Sequence, residues 1–180
     1  MKLIPRPVAL PLLLVCLLGC RPERLQTGPV NPRLMAFSQA GVSLEVGEEW
    51  QCQNVTSPHA LYPPLLVSHA GTIRVLLLPP DRSDPATIAD GLRTDFDLNP
   101  SVARHSFRKQ QFTSDHGARG LCVSYLQRVN VNGGEATVEN AHYLVKNRAG
   151  RCVAINYVAA GDSVDTYAVH RMLRTNLRLQ

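Results

Sequence analysis

Ser163 is the side chain whose neighbours best suit a nucleophile. It lies in Gly161-Asp162-Ser163-Val164, directly after the apolar run Val153 to Ala160, so a strand would deliver its hydroxyl at a turn. A hydroxyl attacks only with a general base to take its proton, an acid to orient that base and donors for the oxyanion. Asp165 and His170 are the nearest partners, and their spacing does not build that set. Asp162 and Ser163 equally suit the cap of a following helix, which is the reading adopted here. Metal chemistry has little more support. The cysteines include no Cys-x-x-Cys pair of the kind zinc sites usually show. His105, Asp115 and His116 form a His/Asp neighbourhood able to meet at a strand end, a weak pattern because such neighbours are common in loops. The remaining chemistry belongs to Cys20, which closes Leu17-Leu18-Gly19-Cys20.

The first of these patterns resembles the opening block of GDSL-type esterases. That family carries its other blocks far downstream, including an Asp-x-x-His near its end, whereas only 17 residues follow Ser163 here. The second resembles the lipobox of bacterial lipoproteins. Lys2 and Arg6 give a positive start, and Val8 to Leu18 is an almost continuous apolar run. That run is shorter than the roughly 20 residues of a spanning helix. It reads as a signal peptide over residues 1–19. The resemblance implies cleavage before Cys20 and lipid on its thiol, with more than one acyl chain, as durable anchoring requires. Arg21, rather than Asp, follows the cysteine and favours the outer membrane if the cell has two.

Of the 180 residues, those from Cys20 onward suffice for one domain with a real core. The formal charge is +5, reduced once Lys2 and Arg6 leave with the signal. Arg74, Arg104, Arg128, Arg151 and Arg174 are scattered along the chain, whereas nucleic-acid binders cluster such residues, so no nucleic-acid partner is expected. Asn54-Val55-Thr56 matches a glycosylation acceptor, discounted because the lipobox points to a bacterial cell.

Residues 20–36 hold Pro22, Gly28, Pro29 and Pro32 and read as a lipidated cysteine followed by a tether; residues 37–180 form the domain. Val42, Leu44 and Val46 alternate with polar residues as in a half-buried strand, and Trp50 with Cys52 shares a face of a short second one. Leu65 to His69 and Thr72 to Leu78 pair through Ala70-Gly71. Asp84-Pro85 caps and starts a helix with Ile88, Ala89, Leu92 and Phe96 on its apolar face, ending before Asn99-Pro100. Arg104 to Phe112 is a strand. Leu121 to Val131, Ala136 to Asn147 and Arg151 to Ala159 follow as three strands in succession. A closing helix presents Val164, Tyr167, Ala168 and Met172, and Leu177 with Leu179 forms an edge strand. The layout is α+β, an antiparallel sheet flanked by helices.

On that layout the thiols of Cys52, Cys122 and Cys152 remain, in a compartment where thiols tend to pair. With turns at 132–134 and 148–150, Cys122 falls opposite about Leu144 and Cys152 opposite about Lys146, on one face with a strand between them. Their Cα atoms then stand about 10 Å apart, beyond the roughly 7 Å a disulfide spans. No Cys122–Cys152 bond is expected; either Cys52 reaches one of them or all three are buried thiols. His142 reads as a satisfied mid-strand imidazole. Trp50, Tyr125, Tyr143 and Tyr157 read as core before they read as a ligand groove.

Gly41-Val42-Ser43-Leu44-Glu45-Val46 followed by Trp50 resembles the opening of Mog/PsbP-like domains, and Thr175-Asn176-Leu177-Arg178-Leu179 resembles their closing strand. Gly47 stands where those domains usually have proline. The resemblance covers about Phe37 to Gln180 and implies an α/β/α sandwich shared by proteins of differing activity, with the DcrB-like envelope lipoproteins nearest in kind. Fold alone assigns no function. The expectation is a lipid-anchored, non-catalytic envelope protein that binds a protein partner or supports an assembly and needs no cofactor. The alternatives are a small-ligand or metal binder, and an esterase using Ser163.

Overall fold

The computed structural model describes residues 33–53, 56–57, 60–61, 65–103, 106–131, 133–159 and 166–180, all within one compact unit, Asn31–Gln180. The signal segment, Cys20, and Ser163 with its flanking acids Asp162 and Asp165 lie outside the described residues, as do His105, Asn54 and Val55.

The chain begins as a strand, β1 (Arg33–Phe37), antiparallel to β2 (Val42–Val46). Residues 33–36, read above as tether, therefore belong to the domain. The prolines stop at Pro32, and Arg33 is held by bonds from Nη2 to the carbonyls of Glu48 and Trp50 at 3.0 and 2.8 Å. Next come β3 (Gln51–Gln53), the short pair β4 (Thr56–Ser57) and β5 (Ala60–Leu61), then β6 (Leu65–Ser68) and β7 (Gly71–Leu77). Helix α1 (Pro85–Leu98) starts where Asp84 Oδ2 accepts from Thr87 N at 3.0 Å. It ends at Asn99-Pro100, since proline biases the residue before it out of helical geometry. β8 (Arg108–Thr113), β9 (Arg119–Val131), β10 (Gly134–Lys146) and β11 (Cys152–Ala159) follow, then α2 (Thr166–Thr175) and β12 (Leu177–Leu179). β8 starts later than its sequence suggests. Ser106 Oγ donates to Ala103 O at 2.6 Å and accepts from Leu126 N at 2.9 Å, a turn that holds the chain off the ladder.

Seven strands form one antiparallel sheet in the order β3-β6-β7-β11-β10-β9-β8, and β1-β2-β12 form a second sheet. Alternation along each strand divides the core. Tyr143, Val145, Val153, Ile155 and Tyr157 pack with Val42, Leu44, Val169, Leu173 and Leu177 from the small sheet and α2. Val123, Leu144, Cys152 and Ala154 pack on the other face with Ile88, Ala89 and Leu92 of α1. The result is a central sheet covered on one side by α1 and on the other by α2 and the small sheet, the α+β sandwich expected. Asn147 ties the layers. Its Nδ2 donates to Ala40 O at 3.0 Å while its Oδ1 accepts from Arg151 N at 3.0 Å.

Three expectations need correction. Cys122 pairs with Tyr143, not Leu144, while Cys152 does pair with Lys146. A shift of one residue moves a side chain to the opposite face, so the two cysteines lie on opposite sides of the sheet. Both are buried and, among the described residues, neither forms a disulfide; Cys52 is exposed, not a buried thiol. In α2 the buried side chains are Val169 and Leu173, with Tyr167 79% exposed. The helix is thus turned from the Tyr167–Ala168 side of the face chosen from sequence, both residues being exposed, while Met172 of that face does pack against the core. That choice lined up aromatic and small residues, whereas Leu173 and Val169 fill the gap against the small sheet. Among the described residues no helix is long and apolar enough to cross a membrane.

Candidate functional site

The strand registers assemble a site that the linear sequence keeps apart. Gln110 faces Cys122 and Arg108 faces Ser124 across β8 and β9, while Tyr143 faces Cys122 and Glu139 faces Leu126 across β10 and β9. Side chains alternate faces along a strand, so this set points to the α2 side of the sheet. Helix α2 then lays His170 and Arg174, one turn apart, over the same surface. Between helix and sheet is a cavity of about 550 Å³.

His170 is the hinge of the polar network. Its Nδ1 hydrogen-bonds the Tyr143 hydroxyl, and its Nε2 stands 3.0 Å from Glu139 Oε1, with side chains 15% and 25% exposed. Burial pulls the imidazole pKa down, but hydrogen bonds to Cys122 and Glu139, and the Glu139 charge, outweigh it and hold the group at about 9. At neutral pH His170 is therefore a cation, and both ring nitrogens donate. Burial, followed by the neighbouring Cys122, pushes the Tyr143 phenol well above its ordinary range, against the pull of Arg174. Tyr143 stays neutral. Arg174 Nη2 donates to Gln110 Oε1 at 2.9 Å, and its Nε is buried with no hydrogen-bond partner among the described residues.

Arg108 and Arg171 complete the lining of charged groups, and Leu126 with Tyr167 adds apolar surface to the same cavity. The arginines are scattered in sequence, yet Arg108, Arg171 and Arg174 converge here. Cys122, 3% exposed, lies at the floor. A thiol, an imidazole and a carboxylate thus meet, with the imidazole nitrogens engaged by Tyr143 and Glu139. What the arrangement offers is positive charge and donors.

The other residues marked from sequence lie elsewhere. Asp115 and His116 are exposed in the turn between β8 and β9, and among the described residues no group of three or more His, Cys, Asp or Glu side chains is placed to hold a metal. His142 faces α1, its Nδ1 2.9 Å from Asn156 Oδ1, and burial lowers its pKa despite that bond. Tyr125 stacks near it at 5.8 Å and meets Phe96 edge-on at 5.3 Å. Trp50, Tyr143 and Tyr157 are core, each 2% exposed or less. Sequence reasoning missed Glu139, Arg171 and Arg108, and treated His170 only as a misplaced triad member. The one available signal was the i, i+4 pair His170 and Arg174.

No family profile matches the chain, and no curated protein does. Among solved structures, that of the Saccharomyces cerevisiae Ran-binding protein Mog1p superposes over 83% of this chain and 96% of its own, with TM-score 0.52 and 12% identity. Cyanobacterial PsbP from Synechocystis gives 0.49 at 13% identity, over 86% of this chain and 96% of its own. LpqN of Mycobacterium tuberculosis, involved in cell envelope biogenesis, gives 0.47 at 17% identity, over 86% and 87%. The fold is that of the Mog/PsbP-like domains, as the Gly41–Trp50 motif implied.

Proposed function

We propose that this chain is a lipid-anchored cell-envelope protein. Residues 1–19 direct export, lipid on Cys20 holds it to the membrane, and the Mog/PsbP-like domain binds a partner or supports an assembly without catalysing a reaction. The observation that carries the reading is Leu17-Leu18-Gly19-Cys20, set directly after the apolar run and just ahead of a folded domain. The same fold in Mog1p belongs to a Ran-binding protein, so the scaffold supports protein recognition. The test is a crosslinking pull-down of the tagged chain from intact cells, alongside membrane fractionation, with Cys20→Ser as control. The expected result is membrane retention and a reproducible partner, both lost in the control. A processed chain that fractionates as soluble with Cys20 intact overturns the anchor, and a partner retained by Cys20→Ser shows that binding needs no tether.

A further inference from the structure

We infer that the cavity between α2 and the β8–β10 end of the large sheet is an anion site, built to take a phosphate or carboxylate group. Its geometry carries the argument. Arg108, Arg171 and Arg174 line one cavity of about 550 Å³ and form no ion pair among the described residues. The one carboxylate in the lining, Glu139, is already held by His170 at 3.0 Å. With Glu139 taken up by His170, the three arginines leave the cavity with an excess of positive charge, and such an excess in a cleft draws in an ion of the other sign. Guanidinium is also the group whose planar fork fits the oxygens of carboxylate and phosphate.

The polar network prepares the site instead of neutralising it. Gln110 fixes Arg174 through its Oε1, the acceptor for Nη2 at 2.9 Å, and leaves the buried Nε without a partner among the described residues. Glu139 and Tyr143 grip His170 from two sides, so the turn of α2 bearing Arg171 and Arg174 is anchored before any ligand arrives. Such preorganisation cuts the ordering cost of binding. Leu126 and Tyr167, 39% and 79% exposed, give the same cavity an apolar margin. The anionic group is therefore carried on a molecule with some apolar character, either a small organic acid or phosphate, or the headgroup of an anionic lipid.

The inference does not rest on the lipid anchor, so its test uses the full chain carrying Cys20→Ser. Inorganic phosphate is titrated by calorimetry, and co-sedimentation is measured with phosphatidylcholine vesicles with and without phosphatidylglycerol. Arg108→Gln and Arg171→Gln alter exposed side chains and keep the fold, which an unchanged thermal midpoint checks. Arg148→Gln, an exposed arginine outside the cavity, makes the same charge change as a control. Binding in at least one arm is expected, weakened about tenfold or more by each cavity variant, as loss of one charge-assisted contact implies, and spared by Arg148→Gln. A response to phosphate assigns a free anion as the ligand; a response only to phosphatidylglycerol vesicles assigns a lipid headgroup. No binding in either arm at about 10 mM phosphate, a concentration at which even a weak site fills, overturns the inference. So does equal weakening by Arg148→Gln, which would mark a general charge effect.

Discussion

His170 Nε2 and Glu139 Oε1 stand 3.0 Å apart, joining α2 to β10 in the wall of the cavity. The contact fixes how stability responds to alkali. His170 is held at about 9, above the roughly 6.5 of an unfolded histidine, so the folded state binds its proton more tightly. The stabilisation is complete below pH about 6.5 and is lost as pH rises towards about 9. Thermal unfolding across that window should show a falling midpoint, and Glu139→Gln should flatten the fall. A midpoint level between those limits would sink the assignment. His142 acts in the opposite sense. Burial lowers its pKa, so stability declines as pH drops below about 6.5, where the unfolded chain takes up the proton first. His142→Asn should soften that acid limb.

The two sides of the sheet keep Cys122 and Cys152 apart even under oxidation. Peptide mapping without reductant should find no Cys122–Cys152 crosslink in the native protein. Finding one would mean that the register Tyr143↔Cys122 is wrong by a residue.

The rotation of α2 is open to a direct comparison. Leu173 is fully buried, so Leu173→Ala should cost about 2–5 kcal/mol by chemical denaturation. Tyr167→Ala, on an exposed ring, should change stability by less than about 0.5 kcal/mol. The reverse order would restore the face read from sequence.

Glycines at two sites should respond with opposite signs. A Cβ at Gly91, in the exposed part of α1, meets nothing within 4 Å; Gly91→Ala should stabilise by about 1 kcal/mol through helix propensity. A Cβ at Gly120 would stand 2.3 Å from Leu144 O and 2.9 Å from Phe112 Cε1. Gly120→Ala should cost about 1–3 kcal/mol as the strands are forced apart. Denaturant midpoints of the two variants check both.

The elements were legible where local chemistry decides them. Asp84-Pro85 and Asn99-Pro100 mark both ends of α1, and the Gly133 and Gly150 turns deliver β10 and β11 close to their sequence bounds. The site was not legible, because it depends on register. The step from Leu144 to Tyr143 opposite Cys122 is invisible to a period-two pattern, yet it decides which side chains look towards α2. The phase of α2 escaped for a related reason. A ten-residue helix with Val169, Met172 and Leu173 together supports more than one apolar stripe, and the small sheet chooses between them. With register and phase unresolved, Arg108, Glu139 and Arg171 could not be brought to one place.

The pairing of β12 with β2 governs when the domain is finished. Arg178 Nη2 meets Glu45 Oε2 at 2.6 Å across 133 residues of chain, and Leu177 comes to rest opposite Leu44. β2 is made well before β12, and pairings between distant segments form slowly. Until β12 docks, Val42 and Leu44 lack the strand that closes their sheet. The folding chain therefore carries a sticky, half-zipped edge over that interval, the kind of surface that invites wrong association.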